Sequence, residues 1–358
     1  MAKVLMLVNW YVHREDNLSQ YLQSPNILKK DEKYWFFKHW PEEDIDIDII
    51  DYSKLPLIHT IEKDLLRFYI VQILKASPRL HRYDLIISHG AQSAILLAFM
   101  RSILGIKHPP HIIIDVGCLN GGRSRQPELS LFKLAMRSLS SLIYHVSSQK
   151  DHYERYFPFL SDKAFYIPFG VDTDFFVPVD VKLENYILAV GYKFRDWKTL
   201  MQAFKDIGKD IKLKIVGPKR RDIEIENIPL NVSHQPYVSI TILKDLIAKA
   251  KIIVLPLVDI PYAHGQMSLL QSMAMGKAVI VTKVPATIDY VVDGENALLV
   301  NVYDSEDMRN KIELLLNNPQ EISRLGRNAR KSVEEKFNEK NMAENIYSSI
   351  NQLNLLKK

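Results

Sequence analysis

The chain has little of several features that would decide its class at once. Cys118 is the single cysteine among 358 residues, so no internal disulfide framework exists, which fits a reducing compartment. The longest apolar run after the first strand, Ala94 to Met100, is far shorter than the roughly 20 residues that cross a bilayer. The opening Met1 to Asn9 lacks a small-residue cleavage site, so we expect a buried strand rather than a signal peptide. These absences favour a cytoplasmic protein, at most peripheral at the inner face of the membrane.

Patterns for nucleic acid, redox cofactors and metals are also lacking. The net charge of +5 is small, and no basic stripe is interleaved with aromatic residues, so we expect no nucleic-acid partner. No Gly-x-Gly-x-x-Gly follows the first strand, which argues against a nicotinamide or flavin enzyme. No Cys/His grouping has zinc spacing. The acidic residues of Asp44 to Asp48 alternate at strand period on one solvated face, and Asp172 is expected to cap a turn. We therefore predict neither a metal nor a cofactor.

What is present is a regular alternation of apolar, β-rich runs with amphipathic stretches. The runs are Val4–Val8, Ile45–Ile50, Leu85–Ile87, Ile112–Val116 and Ile143–Val146, then Tyr186–Val190, Leu213–Val216, Ile252–Leu255, Ala278–Val281 and Ala297–Val300. Near-continuous apolar strands separated by helices predict parallel sheets covered on both faces. Because 358 residues are too many for one core, we predict an α/β chain of two facing Rossmann-like, doubly wound domains.

The domain boundary is expected where prolines bracket a single glycine, from Pro168 to Pro178. We predict a first domain at residues 1–169, a linker at 170–184, a second domain at 185–337 and a C-terminal helix at 338–358. That helix is expected to pack back on the first domain.

Doubly wound sheets bind ligands beyond the carboxyl ends of their strands, so we expect the site in the cleft between the domains. In the first half, His89 and Asp115 end strands and are candidates for assisting catalysis. A helix-cap or packing role explains His89 equally well. The candidates for binding an acceptor are Asn9, Trp10, His13, Asn120 and Arg123.

The stretch Tyr262-Ala-His-Gly-Gln-Met-Ser-Leu-Leu-Gln-Ser-Met-Ala-Met-Gly-Lys-Ala-Val-Ile280 predicts a loop that opens into a helix near Gln266. Gly265 permits a tight turn, and Gly276 ends the helix before the next strand. The free N–H groups of a first helical turn, with the positive end of the helix dipole, suit a diphosphate. An ordinary loop-to-helix junction would carry the same pattern.

Several phrases of the second half resemble one known family, the retaining GT-B glycosyltransferases of family 4 (group 1). The phrases are Ile167-Pro-Phe-Gly-Val-Asp-Thr-Asp-Phe-Phe176, Tyr186-Ile-Leu-Ala-Val-Gly191, Leu213-Lys-Ile-Val-Gly217, Ala250-Lys-Ile-Ile-Val-Leu-Pro256, Met273-Ala-Met-Gly-Lys-Ala-Val-Ile280 and Asp293-Gly-Glu-Asn-Ala-Leu-Leu-Val300. The first half is similar to the family in layout only, as expected of an acceptor-binding domain.

The resemblance also implies where the donor binds, and here the chain departs from the family. The family has two glutamates around the helix start, and Ala263 and Gln271 stand in their places. Gln271 can still hold a ribose by hydrogen bonds, whereas Ala263 can hold nothing, so His264 and Gln266 are candidates for the lost sugar contacts. The remaining donor-binding residues implied are Gly191, Lys193, Arg195, Lys198, Pro218, Lys219, Tyr237, Val238, Gly265, Met267 and Ser268, with His264 counted as catalytic.

The activity implied is transfer of a hexose, with retention and without metal, from a UDP- or GDP-type sugar to a glycan or lipid-linked acceptor in cell-envelope glycan synthesis. The lysine and arginine candidates after Gly191 would neutralise the departing diphosphate. Loss of both family glutamates motivates a second hypothesis, a catalytically silent subunit that binds a nucleotide sugar. A nucleotide-sugar epimerase or a sugar phosphorylase on the same architecture is a third.

A basic amphipathic helix is expected around Leu129 to Leu142. Leu131, Leu134, Ala135 and Ser138 share one face, and two cations lie on another. The pattern fits packing into the domain core and also weak contact with an anionic membrane.

Overall fold

The structure is a computed structural model that describes residues 2–14, 18, 22–41, 45–52, 55–66, 68–117, 119, 126–208, 210–217 and 230–356. It divides into two compact units. The first unit comprises Met1–Pro168 and Met342–Lys358, and the second unit comprises Phe169–Asn341.

The first unit is a parallel sheet of six strands with helices between them. Its strands are β1 Ala2–Val8, β2 Ile45–Ile50, β3 Leu85–His89, β4 His111–Asp115, β5 Ser141–Tyr144 and β6 Ala164–Tyr166. Its helices are α1 Pro56–Thr60, a π-helical turn Ile61–Leu66, α2 Ile70–Ala76, α3 Ala91–Ile103, α4 Gln126–Met136 and α5 Gln149–Tyr156. Short 3-10 helices occur at Trp35–His39, Ser77–Arg82 and Pro158–Lys163.

The second unit is also a parallel six-stranded sheet. Its strands are β7 Tyr186–Val190, β8 Lys212–Val216, β9 Val232–Gln235, β10 Ile252–Leu255, β11 Val279–Thr282 and β12 Leu298–Val300. Its helices are α6 Trp197–Lys205, α7 Ile240–Lys249, α8 Gln266–Ala274, α9 Pro285–Ile288, α10 Ser305–Leu316 and α11 Pro319–Glu335. Helix α12, Glu339–Gln352, follows, and its residues from Met342 onward belong to the first unit, where Tyr347 lies 5.3 Å from Trp40 between ring centroids.

The strand orders place a switch point in each sheet. The first sheet runs β2-β1-β3-β4-β5-β6, which reverses between β1 and β3. The second runs β12-β11-β10-β7-β8-β9, the order of dinucleotide-binding domains, which reverses between β7 and β10. Ligands of open α/β sheets bind beyond the carboxyl ends of the strands at such points. The prediction of two doubly wound sheets is confirmed, and each sheet defines its own candidate crevice.

The central strands are buried because their sequences are apolar on both faces. The strand residues are fully buried from Val4 to Val8 and from Ile252 to Leu255, because helices cover both sides of each sheet. The edge strand β2 carries its carboxylates outward as expected, with Asp46 near Lys3 and Asp48 accepting a hydrogen bond from the Tyr83 hydroxyl. Asp172 caps a turn as predicted, because its Oδ1 accepts from the N–H groups of residues 174 and 175.

Helix α4 packs into the first unit. Leu129, Ala135 and Met136 are buried in the core around β4 and β5. Leu131 was placed on the same face, but 52% of its surface is exposed, so that assignment of the inward face is wrong at this residue. The buried positions instead follow the 3.6-residue period through Leu129, Phe132 and Met136.

Candidate functional site

The switch point of the second sheet lies where β7 and β10 end, and helix α8 starts beside it. Gly265 occupies the position before the helix with φ +81°, a left-handed conformation that favours glycine. A Cβ at this position would lie 2.9 Å from a Leu257 methyl, so a larger residue would also require the Leu257 side chain to move. The turn directs the first-turn N–H groups of α8 off the end of the helix.

Gln266 is the first residue of α8, and its amide is the least satisfied group at this end. The side chain is only 6% exposed, and its Nε2 is buried without a hydrogen-bond partner. A buried amide donor that lacks an acceptor costs about 1–3 kcal/mol, so a ligand that supplied an acceptor here would recover that cost. The position suits a ligand oxygen at the N-terminus of the helix.

Arg195 lies over the end of β7, in the loop that joins it to α6. Its Nε donates to the Val190 carbonyl at 3.0 Å, its Nη1 to the Lys193 carbonyl at 2.9 Å, and its Nη2 to the Ser268 hydroxyl at 3.4 Å. The last bond links the guanidinium to the first turn of α8. Burial lowers the pKa of Arg195 to about 10, so the group remains cationic at neutral pH.

Two glycines make room for this arginine. Gly191 has φ +152°, and a Cβ there would lie 2.0 Å from the Arg195 Nε. A Cβ added at Gly217, directly after β8, would lie 2.6 Å from the Gly191 carbonyl oxygen and 3.1 Å from the Trp197 ring. The glycines that follow β7 and β8 thus let the backbone and the guanidinium pack together.

The loop between β7 and α6 carries further candidates. Lys193 and Lys198 are both exposed, and Phe194 between them has φ +57°, a strained conformation for a bulky residue. The Phe194 ring meets Tyr262 edge-on at 5.8 Å and His264 at 6.1 Å between centroids. Strain of this kind is concentrated at functional sites. The ring contacts of Phe194 hold this loop against the loop that precedes α8.

His264 was expected to help catalysis, and that role stays a prediction. Its Nδ1 lies 2.8 Å from the Tyr262 carbonyl oxygen and its Nε2 lies 3.0 Å from the Val258 carbonyl oxygen. Burial lowers the pKa of His264, and the two backbone contacts oppose that effect in part. The neutral ring carries one N–H, so it can donate only one of these two hydrogen bonds. Both nitrogens lie close to carbonyl oxygens of the loop's own backbone, so the ring braces residues 258–264.

An exposed pair of tyrosines lies in the same unit. Tyr237 is 68% exposed and its ring centroid lies 5.5 Å from that of Tyr192, which is 39% exposed. Burial raises the pKa of Tyr192, and the neighbouring Tyr237 raises it further. A backbone hydrogen bond at Val238 partly opposes these effects. Tyr237 and Val238 were predicted from the resemblance, whereas Tyr192 was noted only as a replacement of an arginine.

The other donor-side candidates have mixed positions. On α8, Gln271 is 6% exposed, Met267 is 50% exposed, and Ser268 accepts from Arg195. Ala263 precedes the helix and supplies no polar group. Pro218 and Lys219, with Asn120 and Arg123 of the acceptor set, lie outside the described residues.

The switch point of the first sheet gathers aromatic rings around His89. Trp10 lies 4.9 Å and Trp35 5.3 Å from the His89 ring centroid, and the two indoles lie 5.7 Å apart. The Trp10 Nε1 donates to the Pro25 carbonyl at 2.9 Å, which holds the indole in place. Trp35, which sequence reasoning missed, has φ +47°, a second strained bulky residue.

His89 itself is 8% exposed, and its Nε2 is buried without a hydrogen-bond partner. Burial, with a smaller effect of nearby His145, lowers the pKa of His89 to about 3, so the ring is neutral at physiological pH. Gly90 follows with φ +86°, and a Cβ there would lie 2.0 Å from the Asn9 Nδ2. Asn9, Trp10 and His89 therefore meet at this edge, as predicted for residues that follow neighbouring strands.

Two first-unit candidates have mainly structural contacts. Asp115 is fully buried and accepts a hydrogen bond from the Tyr153 hydroxyl at 2.5 Å, and its catalytic role stays a prediction. His13 exchanges backbone hydrogen bonds with residues 26 and 28 and packs on Tyr11 at 4.6 Å. Its partly exposed ring leaves the acceptor role a prediction.

Within the described part of the chain, no three His, Cys, Asp or Glu side chains are grouped as metal ligands would be. A search of the same residues finds no helix that is both long and apolar enough to span a bilayer.

Comparison with known proteins bears on the second unit. Residues 173–332 match the sequence profile of the family described as glycosyl transferases group 1. The match covers the glycines after β7 and β8, the Arg195 loop and helix α8. A similar curated protein is the capsular polysaccharide biosynthesis glycosyltransferase CapM of Staphylococcus aureus, 31% identical over 183 residues, which are 48% of this chain and 47% of CapM. The aligned region is thus about half the length of that relative.

Solved structures extend the likeness of fold to the whole chain. Sucrose-phosphate synthase of Thermosynechococcus elongatus is 18% identical, with a TM-score of 0.69 over 98% of this chain and 99% of that one. HepE of Anabaena, solved in complex with UDP-glucose, is 16% identical, with a TM-score of 0.68 over 98% of this chain and 100% of that one. At these identities the comparison establishes the two-domain GT-B architecture.

Proposed function

We propose that the chain transfers a sugar from a nucleoside diphosphate donor to a glycan or lipid-linked acceptor. The observation that carries the proposal is that the Arg195 guanidinium bonds Ser268 in the first turn of α8, the helix that begins with the unpartnered Gln266 amide at the β7/β10 switch point. A cation, a buried amide donor and a helix N-terminus are the groups that a diphosphate needs. The match to group 1 glycosyltransferases over residues 173–332 supports the assignment.

The chemistry proposed for these groups is stabilisation of the leaving group. As the sugar–phosphate bond breaks, negative charge grows on the diphosphate oxygen. Arg195, the exposed Lys193 and Lys198, and the first-turn N–H groups of α8 are proposed to neutralise that charge without a metal. Because Arg195 is already held by three hydrogen bonds, little reorganisation is required at the moment of reaction.

The donor is proposed to be a UDP- or GDP-type sugar and the transfer to retain the anomeric configuration, in cell-envelope glycan synthesis. The exposed Tyr192 and Tyr237 rings offer an apolar face for the nucleobase. On the acceptor side, the neutral His89 lies beside Trp10 and its Nε2 has no hydrogen-bond partner. This nitrogen is proposed to form a hydrogen bond with a hydroxyl of the acceptor. No cofactor beyond the donor is proposed.

A silent nucleotide-sugar-binding subunit is the second candidate. Ala263 offers no side-chain contact and both His264 nitrogens face backbone carbonyls, so the loop before α8 presents neither carboxylate nor free imidazole to a sugar. This candidate keeps donor binding and lacks transfer.

Titration calorimetry with UDP, GDP and their hexose conjugates tests the proposal. At least one should bind, and Arg195→Ala should weaken it about 10- to 100-fold, because a hydrogen bond to a charged group is worth about 1.5–3 kcal/mol. Lys331→Ala is the matched control, since Lys331 is 70% exposed and pairs only with Glu335 on the surface of α11. Absence of binding by every nucleotide to the folded chain would refute the proposal. Equal affinity in Arg195→Ala would remove Arg195 from it.

A further inference from the structure

The segment that follows β2 turns its apolar side outward. Leu57, Ile61 and Leu65 are spaced four residues apart along α1 and the π-helical turn, and their exposed fractions are 74%, 40% and 76%. Helical residues four apart share one face. Glu62, the residue after Ile61, is only 3% exposed, whereas Leu66 is 41% exposed. The segment therefore exposes its leucines and buries a carboxylate, whereas a helix packed on a core does the opposite.

The outward leucines do not belong to a loosely attached segment. Glu62 Oε1 accepts a hydrogen bond from the backbone N–H of Val71 at 2.7 Å, which ties the segment to the start of α2. On the same side, the His59 ring stacks on Tyr52 at 4.1 Å and on Tyr69 at 6.2 Å between centroids. These contacts fix which side of the segment faces away from the sheet.

The apolar surface continues onto neighbouring elements. Leu55 is 60% exposed before α1, and Ile70 and Leu74 on α2 are 39% and 66% exposed. We define the leucine face as Leu55, Leu57, Ile61, Leu65, Ile70 and Leu74. Single exposed leucines are ordinary, whereas these six, together with Leu66, make seven exposed large apolar side chains within 20 residues of sequence and mark an interaction surface.

The charges next to the leucine face identify its partner. The exposed cations Lys75, Arg79 and Arg82 follow Leu74 along the chain. Among the described side chains of residues 55–82, the acidic one is Glu62, which is buried. An apolar face bordered by cations fits the interface of an anionic bilayer, where leucines enter the acyl boundary and lysine or arginine meets the headgroups.

We propose that the leucine face with Lys75, Arg79 and Arg82 docks the first unit on an anionic lipid bilayer. This surface, rather than helix α4, makes the contact, because α4 buries Leu129, Ala135 and Met136 in the core. The proposal goes beyond sugar transfer and does not depend on it. It would bring the chain to the surface where a lipid-linked acceptor is found.

Flotation of the full chain with vesicles tests this proposal. We expect the protein to float with phosphatidylcholine vesicles that contain 30% phosphatidylglycerol at low salt, and less at 0.5 M NaCl. Leu57→Gln with Leu65→Gln should abolish flotation. Lys75→Glu with Arg79→Glu should reduce the partition coefficient by at least about 25-fold, since each cation near an anionic surface contributes about fivefold.

The control variant is Leu314→Gln, since Leu314 on α10 is 51% exposed and lies in the second unit. It should float like the wild type, and all variants should bind the donor nucleotide with wild-type affinity, which keeps the outcome separate from the proposed function. Wild-type protein that stays with the soluble fraction would overturn the proposal. So would loss of flotation only in Lys133→Glu with Arg137→Glu, which assigns the contact to α4. A leucine pair variant that floats normally but changes a dimer into a monomer in sedimentation would show a contact between copies.

Discussion

Replacement of Gly191 by alanine is the perturbation whose effect the structure specifies most completely. The added methyl would lie 2.0 Å from the Arg195 Nε, 2.3 Å from its Cζ and 2.5 Å from its Nη2. Heavy atoms cannot approach so closely, so the guanidinium must leave its place over the end of β7. Alanine must also adopt φ +152°, which L residues rarely do.

The expected cost follows from these two effects. Displacement of Arg195 breaks bonds to Val190, Lys193 and Ser268, each worth about 1 kcal/mol, and the backbone strain adds about 1–3 kcal/mol. We expect the second unit to lose about 4–6 kcal/mol of unfolding free energy, a fall in Tm of roughly 10–20 °C. Nucleotide affinity should fall by at least the factor seen in Arg195→Ala.

Gly208→Ala is the matched control. No heavy atom lies within 4 Å of a Cβ at Gly208, and its backbone does not require a positive φ, so stability and affinity should stay near wild type. Scanning calorimetry and nucleotide titration of both variants decide the matter. Wild-type stability together with wild-type nucleotide affinity in Gly191→Ala would refute the role given to the packed Arg195.

The remaining predictions concern removal of metal ions by EDTA, the first residue of helix α8 and stability at acid pH. Transfer should survive 5 mM EDTA, and activity that is lost and then restored by Mn²⁺ or Mg²⁺ would contradict metal-independent leaving-group stabilisation. Gln266→Leu should stabilise the free protein, since it removes a buried unpartnered donor. The same variant should bind nucleotide about 5- to 30-fold more weakly by titration, and tighter binding would argue against the site. Burial lowers the pKa of His89 to about 3 and that of His145 to about 4, below the unfolded 6.5. These rings stay neutral in the fold while the unfolded chain gains protons, so urea melts should show about 2 kcal/mol lost per histidine between pH 7 and pH 5. His145→Gln should flatten that slope and the exposed His81→Gln should not; equal slopes in both would contradict the burial argument.

The architecture was predictable from the sequence because buried parallel strands are apolar on both faces. The central strands β1, β3, β4, β7 and β10 were all expected within a few residues of their observed bounds. The strands β6 and β9 were missed, since β6 is a half-buried edge strand of only three residues and β9 is an edge strand that lacks an apolar run. Their sequences, Ala164–Tyr166 and Val232–Gln235, follow no period that distinguishes them from loops.

The candidate site was predictable only where local chemistry decided it. The glycine before α8 and the arginine after β7 follow from turn and anion-binding patterns and from the family resemblance. The roles of His264 and Asp115 depended on which atoms surround them. His264 contacts two carbonyls of its own loop, and Asp115 contacts Tyr153, 38 residues away in sequence. The leucine face was also beyond sequence reasoning, because periodicity shows that a face exists and not which side it turns to the core.

The most direct test of the central claim is a transfer assay with anomerically defined donors. The chain is incubated with each UDP- and GDP-hexose that it binds, together with membrane and glycan fractions as acceptors, and nucleoside diphosphate release and product anomer are followed by NMR. The account predicts release that requires acceptor, falls about 100-fold or more in Arg195→Ala, and yields a product with the anomeric configuration of the donor. Saturating donor binding with no acceptor-dependent release would contradict sugar transfer and leave a binding subunit, and an inverted product would contradict retention.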